Sequence, residues 1–471
     1  VLVIVLVLVA LAGLITTTLL LRTTATASAA AGTLDGQQAR SAAMSGIARA
    51  LAVLASPPED PAALLDDPET FRHPLVFEDG ERTWYFTIYA AADDGEVRYG
   101  LADEAGRLNI NVADEQVLLG LPGMTPEMAA ALADYIDKDG DVRPEGAEQD
   151  FYNELDRPYA IRNGWLTTAE ELLLVRGFGG QVVYGEDANF NGLLDANEDD
   201  GDESFPPDNG DGVLDAGLRA LTTTLTYEPQ VDSEGRPRID LNGPVEALAA
   251  AGLPAATVEF IRLYREDDDK NLFAHPSELL EMRYQLKKDH TAGSPPGRGP
   301  RGRRRPGGQG NVTHRAGEWI ESGAGPEQME LVLDRLTASP EGRAMPVRMG
   351  MVNVNTAPRQ VLGALLGEDG DKAAEIIDAR ATASLDSVTP AWLLTSGLVE
   401  AETFKRIAPR LTARSWQYRI RSVGYCLPAG RYCVIEAVVD LAGQRPRILY
   451  MRDLTRLGLP LALDGESENS Q

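Results

Sequence analysis

The chain opens on an uninterrupted apolar run. Val1 to Leu21 contains no charged side chain, and the first charge is Arg22. As a helix rising ~1.5 Å per residue this run measures roughly 31 Å, the thickness of a bilayer core. The pattern predicts a membrane-spanning helix over 1–21. A cleaved secretory signal competes, but its apolar region runs only about 7–15 residues and ends at a small-residue cleavage site. Beyond a Thr- and Ala-rich stretch, Met44, Ile47, Leu51 and Leu54 recur at helical spacing, with Gln37, Gln38, Arg40 and Arg49 on other faces. Two prolines at Ser56-Pro57-Pro58 stop that pattern. One helix of about 55 residues, roughly 80 Å long, is expected.

From Thr83 the texture turns β-branched and aromatic in Trp84-Tyr-Phe-Thr-Ile-Tyr89. Asp93-Asp94-Gly95 reads as a turn and Val97-Arg98-Tyr99 as a returning strand. The same texture reappears near the end, in Trp416–Ile420, Val434–Val439 and Arg447–Tyr450, where apolar and polar residues alternate. A sheet begun at 83 and completed after 415 would enclose the sequence between. That interior repeats itself. Arg107-Leu-Asn-Ile-Asn-Val-Ala113 recurs as Arg238-Ile-Asp-Leu-Asn-Gly-Pro244 and as Met351-Val-Asn-Val-Asn-Thr-Ala357. Leu- and Ala-rich helical sequence follows each copy, over 117–136, 245–264 and 361–379. Partner segments come next at Thr168–Leu174, Pro276–Leu280 and Thr389–Leu394, with Thr168 and Ser277 read as helix starts. The expectation is an all-helical domain of related helix-turn-helix units. Gly293–Gly308, almost devoid of apolar side chains, reads as a disordered basic loop within 291–312.

Composition narrows the function. The 471 residues carry 44 basic and 72 acidic side chains, a net charge of -28 that disfavours binding to phosphate backbones. Four dispersed histidines and two cysteines offer neither a metalloprotease pair nor a zinc ribbon, and no phosphate-loop or serine-hydrolase string occurs. These absences point to an anchored assembly part, with no enzymatic activity expected.

The sharpest motif is Asp187-Ala-Asn189-Phe-Asn191-Gly192-Leu193-Leu-Asp195-Ala-Asn-Glu198, which fits the twelve-residue calcium loop. Ca²⁺ is a hard cation that takes six to eight oxygens. Asp187, Asn189, Asn191 and Asp195 would supply side-chain oxygens and Leu193 its carbonyl. Glu198 would bind through both oxygens, and Gly192 would permit the sharp turn. The bland alternative is a solvated acidic turn. A weaker second copy offers Asn209, Asp211 and Asp215 after Asp208, but Pro207 and Leu218 fall where ligands belong. No long amphipathic helices flank either copy, which favours a structural clamp over a switch. Leu119-Gly-Leu-Pro-Gly-Met-Thr-Pro126 resembles a helix-hairpin-helix, yet Glu127, Asp134, Asp137, Asp139 and Asp141 crowd it and would repel DNA. Cys426 and Cys433 flank Leu-Pro-Ala-Gly-Arg-Tyr between two strand patterns. A two-residue turn at Ala429-Gly430 would set them opposite one another at disulfide spacing, whereas a turn with Pro428 in second place would break that register. The bridge is expected only in an oxidising compartment.

Taken in order along nearly the whole chain, these features resemble the protein K family of the type II (general) secretion pathway, which are minor pseudopilins. The resemblance rests on the apolar N-terminus, Gln37-Gln38-Ala39, Asp103-Glu-Ala-Gly-Arg-Leu-Asn-Ile-Asn111, the calcium loop, Val352-Asn-Val-Asn-Thr-Ala-Pro358 and Arg419-Ile-Arg-Ser-Val-Gly424. Other pseudopilins carry Glu at the fifth mature position, which this family lacks; here the residue is Val5. The resemblance implies an α+β, pilin-like fold, a long N-terminal helix with a small antiparallel sheet. A large all-α helix-hairpin-helix (SAM-like) domain carrying the calcium loop would interrupt it. The expected layout is a transmembrane helix over 1–21, a pseudopilin part over 22–106 and an insertion over 107–412 with its calcium loop at 187–215. Closing strands over 413–458 and a tail over 459–471 complete it. The resemblance also implies an inner-membrane anchor with the bulk in the periplasm, maturation by a prepilin peptidase, and a place at the pseudopilus tip with minor pseudopilins I and J. No nucleic-acid partner is expected. The rival is a membrane-anchored helix-hairpin-helix DNA receptor of a competence system.

Overall fold

The computed structural model describes residues 1–461 apart from 59, 81, 93–94, 202, 292–311, 340–344, 381–386, 429 and 444. The turn expected at Asp93-Asp94, the basic loop over 293–308 and most of the tail therefore lie outside the described residues. The chain forms two compact units, one of Val1–Asp103, Tyr184–Ala216 and Gln417–Gln471, the other of Glu104–Val183 and Gly217–Trp416.

In the first unit, helix α1 runs unbroken over Leu2–Ala55, with Ser56 as its C-cap before the two prolines. At ~1.5 Å per residue that is roughly 80 Å. Its apolar first part is exposed, and by length and composition it can cross a membrane. Burial starts at Ala39 and follows Ala42, Ala43, Gly46, Ile47, Ala50 and Leu54, the three-and-four spacing of one helical stripe. Most of these residues are Ala or Gly, because the helix touches backbone. A Cβ on Gly46 would lie 2.1 Å from Ser422 Oγ, and one on Gly424 would lie 2.1 Å from the Ala43 nitrogen. Ser422 Oγ–H also donates to the Ala43 carbonyl at 2.9 Å.

The sheet beneath α1 takes strands β1 (Leu75–Asp79), β2 (Arg82–Ala91), β5 (Gln417–Leu427), β6 (Tyr432–Asp440) and β7 (Arg447–Asp453) in that spatial order, with β3 (Val97–Arg98) on β2 and β4 (Ala102–Asp103) on β5. The main pairings are antiparallel, running from Arg421↔Tyr89 to Leu427↔Thr83 between β5 and β2. The expected sheet assembled from both ends of the sequence is thus formed. Strand β1 was not legible. Period-two alternation sends Phe86, Ile88, Ile420, Ile435 and Ala437 to the α1 face, and Tyr89, Val423 and Val434 to the other.

The expected opposition of Cys426 and Cys433 does not occur. Cys433 pairs with Gly424, and Cys426 exchanges backbone hydrogen bonds near the turn, its N–H donating to Arg431 O at 3.0 Å. The physical reason is Pro428. A two-residue turn would need its missing N–H to close on Arg431, so the ladder ends two residues earlier. Both thiols are free and buried. Thr455 Oγ1–H donates to Cys433 Sγ at 3.4 Å.

The second unit is built on the threefold repeat. Each Asn-containing string yields a two-residue strand, Leu108-Asn109, Ile239-Asp240 or Val352-Asn353. Each pairs in parallel with a later string, Thr222-Thr223, Leu336-Thr337 or Leu411-Thr412. The first polar residue of each copy accepts the backbone N–H two residues on: Asn111 to Asn109, Asn242 to Asp240, Asn355 to Asn353. The second reaches across the unit. Asn111 exchanges both hydrogen bonds with the Leu166 backbone, and Asn242 does so with Phe273. Helices follow each string, among them α2 (Pro126–Ile136), α3 (Ala255–Asp267), α4 (Arg359–Leu366) and α5 (Lys372–Arg380). Thr125 caps α2, its Oγ1 accepting the Met128 N–H, while Pro126 takes the first helical position. At Pro276–Leu279 the capping residue is His275 with Glu278, in place of the expected Ser277.

Two expectations need correction. The interior is not all-helical, because it also contains parallel two-residue strand pairs and short antiparallel pairs such as Arg283–Gln285 with Trp319–Glu321. The acidic loop also does not belong to it, since residues 184–216 fold with the sheet unit.

Candidate functional site

The acidic loop is a run of turns held by side chains accepting nearby N–H groups. Asp187 Oδ2 accepts from Gly192 N–H at 3.1 Å, Asn189 Oδ1 from Asn191 N–H at 2.9 Å, and Asn191 Oδ1 from Leu193 N–H at 2.7 Å. Phe190 and Gly192 adopt left-handed backbone, φ 61° and 75°, which turns the chain back on itself. A one-turn helix over Ala196–Glu198 follows, boxed by Asp195 and Glu198. Glu198 accepts from Ala188 N–H at 2.9 Å and Asp195 N–H at 3.1 Å, so it closes the loop end to end. The Asn189 and Asn191 amides donate to Asp195 Oδ2 at 2.7 and 2.9 Å. The predicted residues Asp187, Asn189, Asn191, Asp195 and Glu198 are therefore brought into one hydrogen-bonded ring.

The loop is seated on the sheet. Arg421 of β5 donates from Nη1 to the Asn191 carbonyl at 3.0 Å and from Nε to Glu436 at 2.9 Å. Asn191 Nδ2–H reaches the Pro460 carbonyl at 3.1 Å. Gly192 lies against Ala91, where an added Cβ would stand 3.1 Å from that methyl group. Sequence reasoning missed Arg421 and Glu436. Their signal was present, as charges interrupting an otherwise apolar strand pattern.

The ring holds more buried negative charge than it neutralises. Asp187 is 4% exposed, and its Oδ1 is enclosed without a hydrogen-bond partner. Burial raises its carboxyl above the ordinary range, against the pull of Arg421 and backbone N–H groups. Burial likewise pushes Glu198 up to about 7, with Asp187 and Asp195 adding repulsion and two backbone N–H groups opposing it. The donor set is all oxygen, with an orphaned anionic oxygen at its first position, so the residues fit a hard cation such as Ca²⁺. The second turn differs. Asn209, Asp211 and Asp215 are exposed. Asn209 donates to Asp215 at 3.3 Å, and buried Glu186 accepts the backbone N–H groups of Asn209 and Asp215.

Residues 103–184 match the family model described as "Type II secretion system (T2SS), protein K", first domain. A solved structure, the GspK-GspI-GspJ complex from the enterotoxigenic Escherichia coli type 2 secretion system, aligns over 92% of this chain and 99% of that one. Its identity is 13% and its TM-score 0.38, too low for any comparison of architecture. No curated protein matches the chain. The matched domain contains the Asn109–Asn111 string and α2, and marks a component of a bacterial secretion system. Residues 103–184 thus carry the first domain of a type II secretion system protein K.

Proposed function

We propose that this protein is a minor pseudopilin of a type II secretion system, the tip subunit that caps and helps initiate the periplasmic pseudopilus. Helix α1 anchors it in the inner membrane after prepilin peptidase processing, with the bulk of the chain in the periplasm. The observation that carries the reading is the division of labour along α1. Its first part is exposed and apolar, while its last part presents a stripe of small residues to the sheet. A helix so divided suits extraction from lipid into a bundle of like helices, where close packing replaces lipid contact. The sheet with this helix is pilin-like. The second unit, too bulky for a repeating subunit, suits a position above which no further subunit is added.

The partners proposed are minor pseudopilins I and J, as in the complex named above. Calcium is proposed as a structural ion held by Asp187, Asn189, Asn191, the Leu193 carbonyl, Asp195 and Glu198. A second ion at Asn209, Asp211 and Asp215 is the lesser part of that proposal. The ion supplies positive charge to the loop, and Arg421 carries the loop's position into the sheet. The role is structural, with no reaction catalysed.

Affinity capture of the full chain in detergent, with the pathway's minor pseudopilins I and J co-expressed, tests the reading. Retention of both is expected. Failure to retain either, while I and J still associate with each other, would overturn it. DNA retained at low salt would revive the competence-receptor rival.

A further inference from the structure

A second group of carboxylates, in the other unit and outside the acidic loop, is arranged for an ion. Helix α2 ends at Ile136, and the chain then turns through Asp137, Asp139 and Arg143 to Glu148, which immediately precedes the helix Gln149–Asn153. One carboxylate oxygen from each of Asp137, Asp139 and Glu148 lies within 4.8 Å of the other two. That limit is about twice the 2.3–2.6 Å Ca²⁺–oxygen distance, so one ion can touch all three.

Proximity of acids alone would mean little. The independent observation is what their oxygens lack. Glu148 is 9% exposed, and its Oε1 is enclosed without a hydrogen-bond partner. Asp137 Oδ1 is enclosed and unpartnered as well. The nearby cation reaches other oxygens: Arg143 Nη1 stands 2.6 Å from Asp134 Oδ1 and 2.5 Å from Asp137 Oδ2, leaving Asp137 Oδ1 and Glu148 Oε1 unanswered. The one guanidinium thus answers Asp134 and Asp137. A buried anionic oxygen without a donor is costly, and a protein retains one where a ligand completes it. Burial, with Asp134, Asp137 and Asp139 behind it, also raises the Glu148 carboxyl.

We propose that Asp137, Asp139 and Glu148 form a cation site in the second unit, for a hard divalent ion of the calcium class. The donors are all carboxylate oxygens, with no nitrogen or sulfur to favour zinc. The exposed Asp139 gives the ion an entrance from solvent. The site stands independently of the acidic loop, and its ion would tie the end of α2 to the start of the next helix.

Calcium titration of the full chain in detergent, in a background where Asp187→Asn and Glu198→Gln silence the acidic loop, is the test. One residual site is expected, weakened at least tenfold by Asp139→Asn or Glu148→Gln. Terbium in place of calcium should give emission excited through Tyr135 and Tyr152, close in sequence to Asp137 and Glu148 with rings 5.7 Å apart, and Asp139→Asn should abolish it. Asp139 is exposed, so that variant keeps the fold, and in an otherwise native chain it should remove one bound calcium without disturbing the rest. No residual binding at millimolar calcium, or residual binding indifferent to both variants, would overturn the site. A proton shared between Glu148 and Asp137 would show as the first of these outcomes. Failure of the loop reading would appear separately, as binding unchanged when the loop is silenced.

Discussion

Glu436 and Asp187 are both buried carboxylates of the sheet unit, and their surroundings are opposite. Glu436 is fully buried and receives Arg419 Nη1 at 2.7 Å, Arg421 Nε at 2.9 Å, Arg452 Nε at 2.8 Å and the Tyr450 hydroxyl at 2.9 Å. Its charge is answered several times over by the chain itself. Asp187, at the other end of the Arg421 side chain's reach, keeps one oxygen with no donor. The first arrangement is finished within the fold, and the second keeps an unmet acceptor. A buried acid is therefore informative through its unmet hydrogen bonds, more than through its burial.

Removing the anion from the finished cluster should have the largest effect. Glu436→Gln takes the shared anion away from the buried Arg419 and Arg421, and breaking a buried pair this way costs about 3–5 kcal/mol. Denaturant melts of the full chain in detergent should show that loss. The acidic loop should also become protease-sensitive, because Arg421 holds Asn191. Next is the contact of helix and sheet. Gly424→Ala would place a methyl group 2.1 Å from the Ala43 nitrogen, and overpacking of this kind costs about 1–3 kcal/mol. The same melts should report it, with the loop's proteolysis unchanged.

A third carboxylate sharpens the comparison by pH. Burial would raise Asp267, but the His290 ring, the Lys287 and Lys288 N–H groups and the Tyr284 hydroxyl outweigh it and hold the group at about 2, below the ordinary 3.8. A depressed folded value stabilises above the unfolded value, and that stability is lost as pH falls through the folded one. Asp267→Asn should therefore destabilise at neutral pH by about 1–2 kcal/mol and by much less near pH 2. Equal losses at both pH values would contradict the assignment.

Local patterns were the legible part of this molecule. Helix α1 follows from its apolar run and its proline stop, and the sheet's membership follows from alternation at 84–89 and after 416. The threefold string was visible too, but its closing partners were not. Leu336-Thr337 and Leu411-Thr412 are too short to carry a period, and their pairing with 239–240 and 352–353 is set by tertiary contact. The cysteine register failed for a local reason that the sequence contained, the missing N–H of Pro428. That the polar residues at 187–198 gather in one loop was readable from spacing alone. Arg421, some 230 residues away in sequence, was not, because only folding brings β5 under the loop.

Calcium titration of the full chain, by calorimetry with a parallel melt in chelator, addresses the central contrast most directly. An ion bound only by the folded loop adds about 2.7 kcal/mol at ~100 times its dissociation constant. The account predicts a heat of binding and a melting temperature lowered by chelator, most of that difference vanishing in Glu198→Ala while Glu436→Gln is destabilised with or without calcium. No heat of binding at millimolar calcium, together with an unchanged melt in chelator, would contradict it.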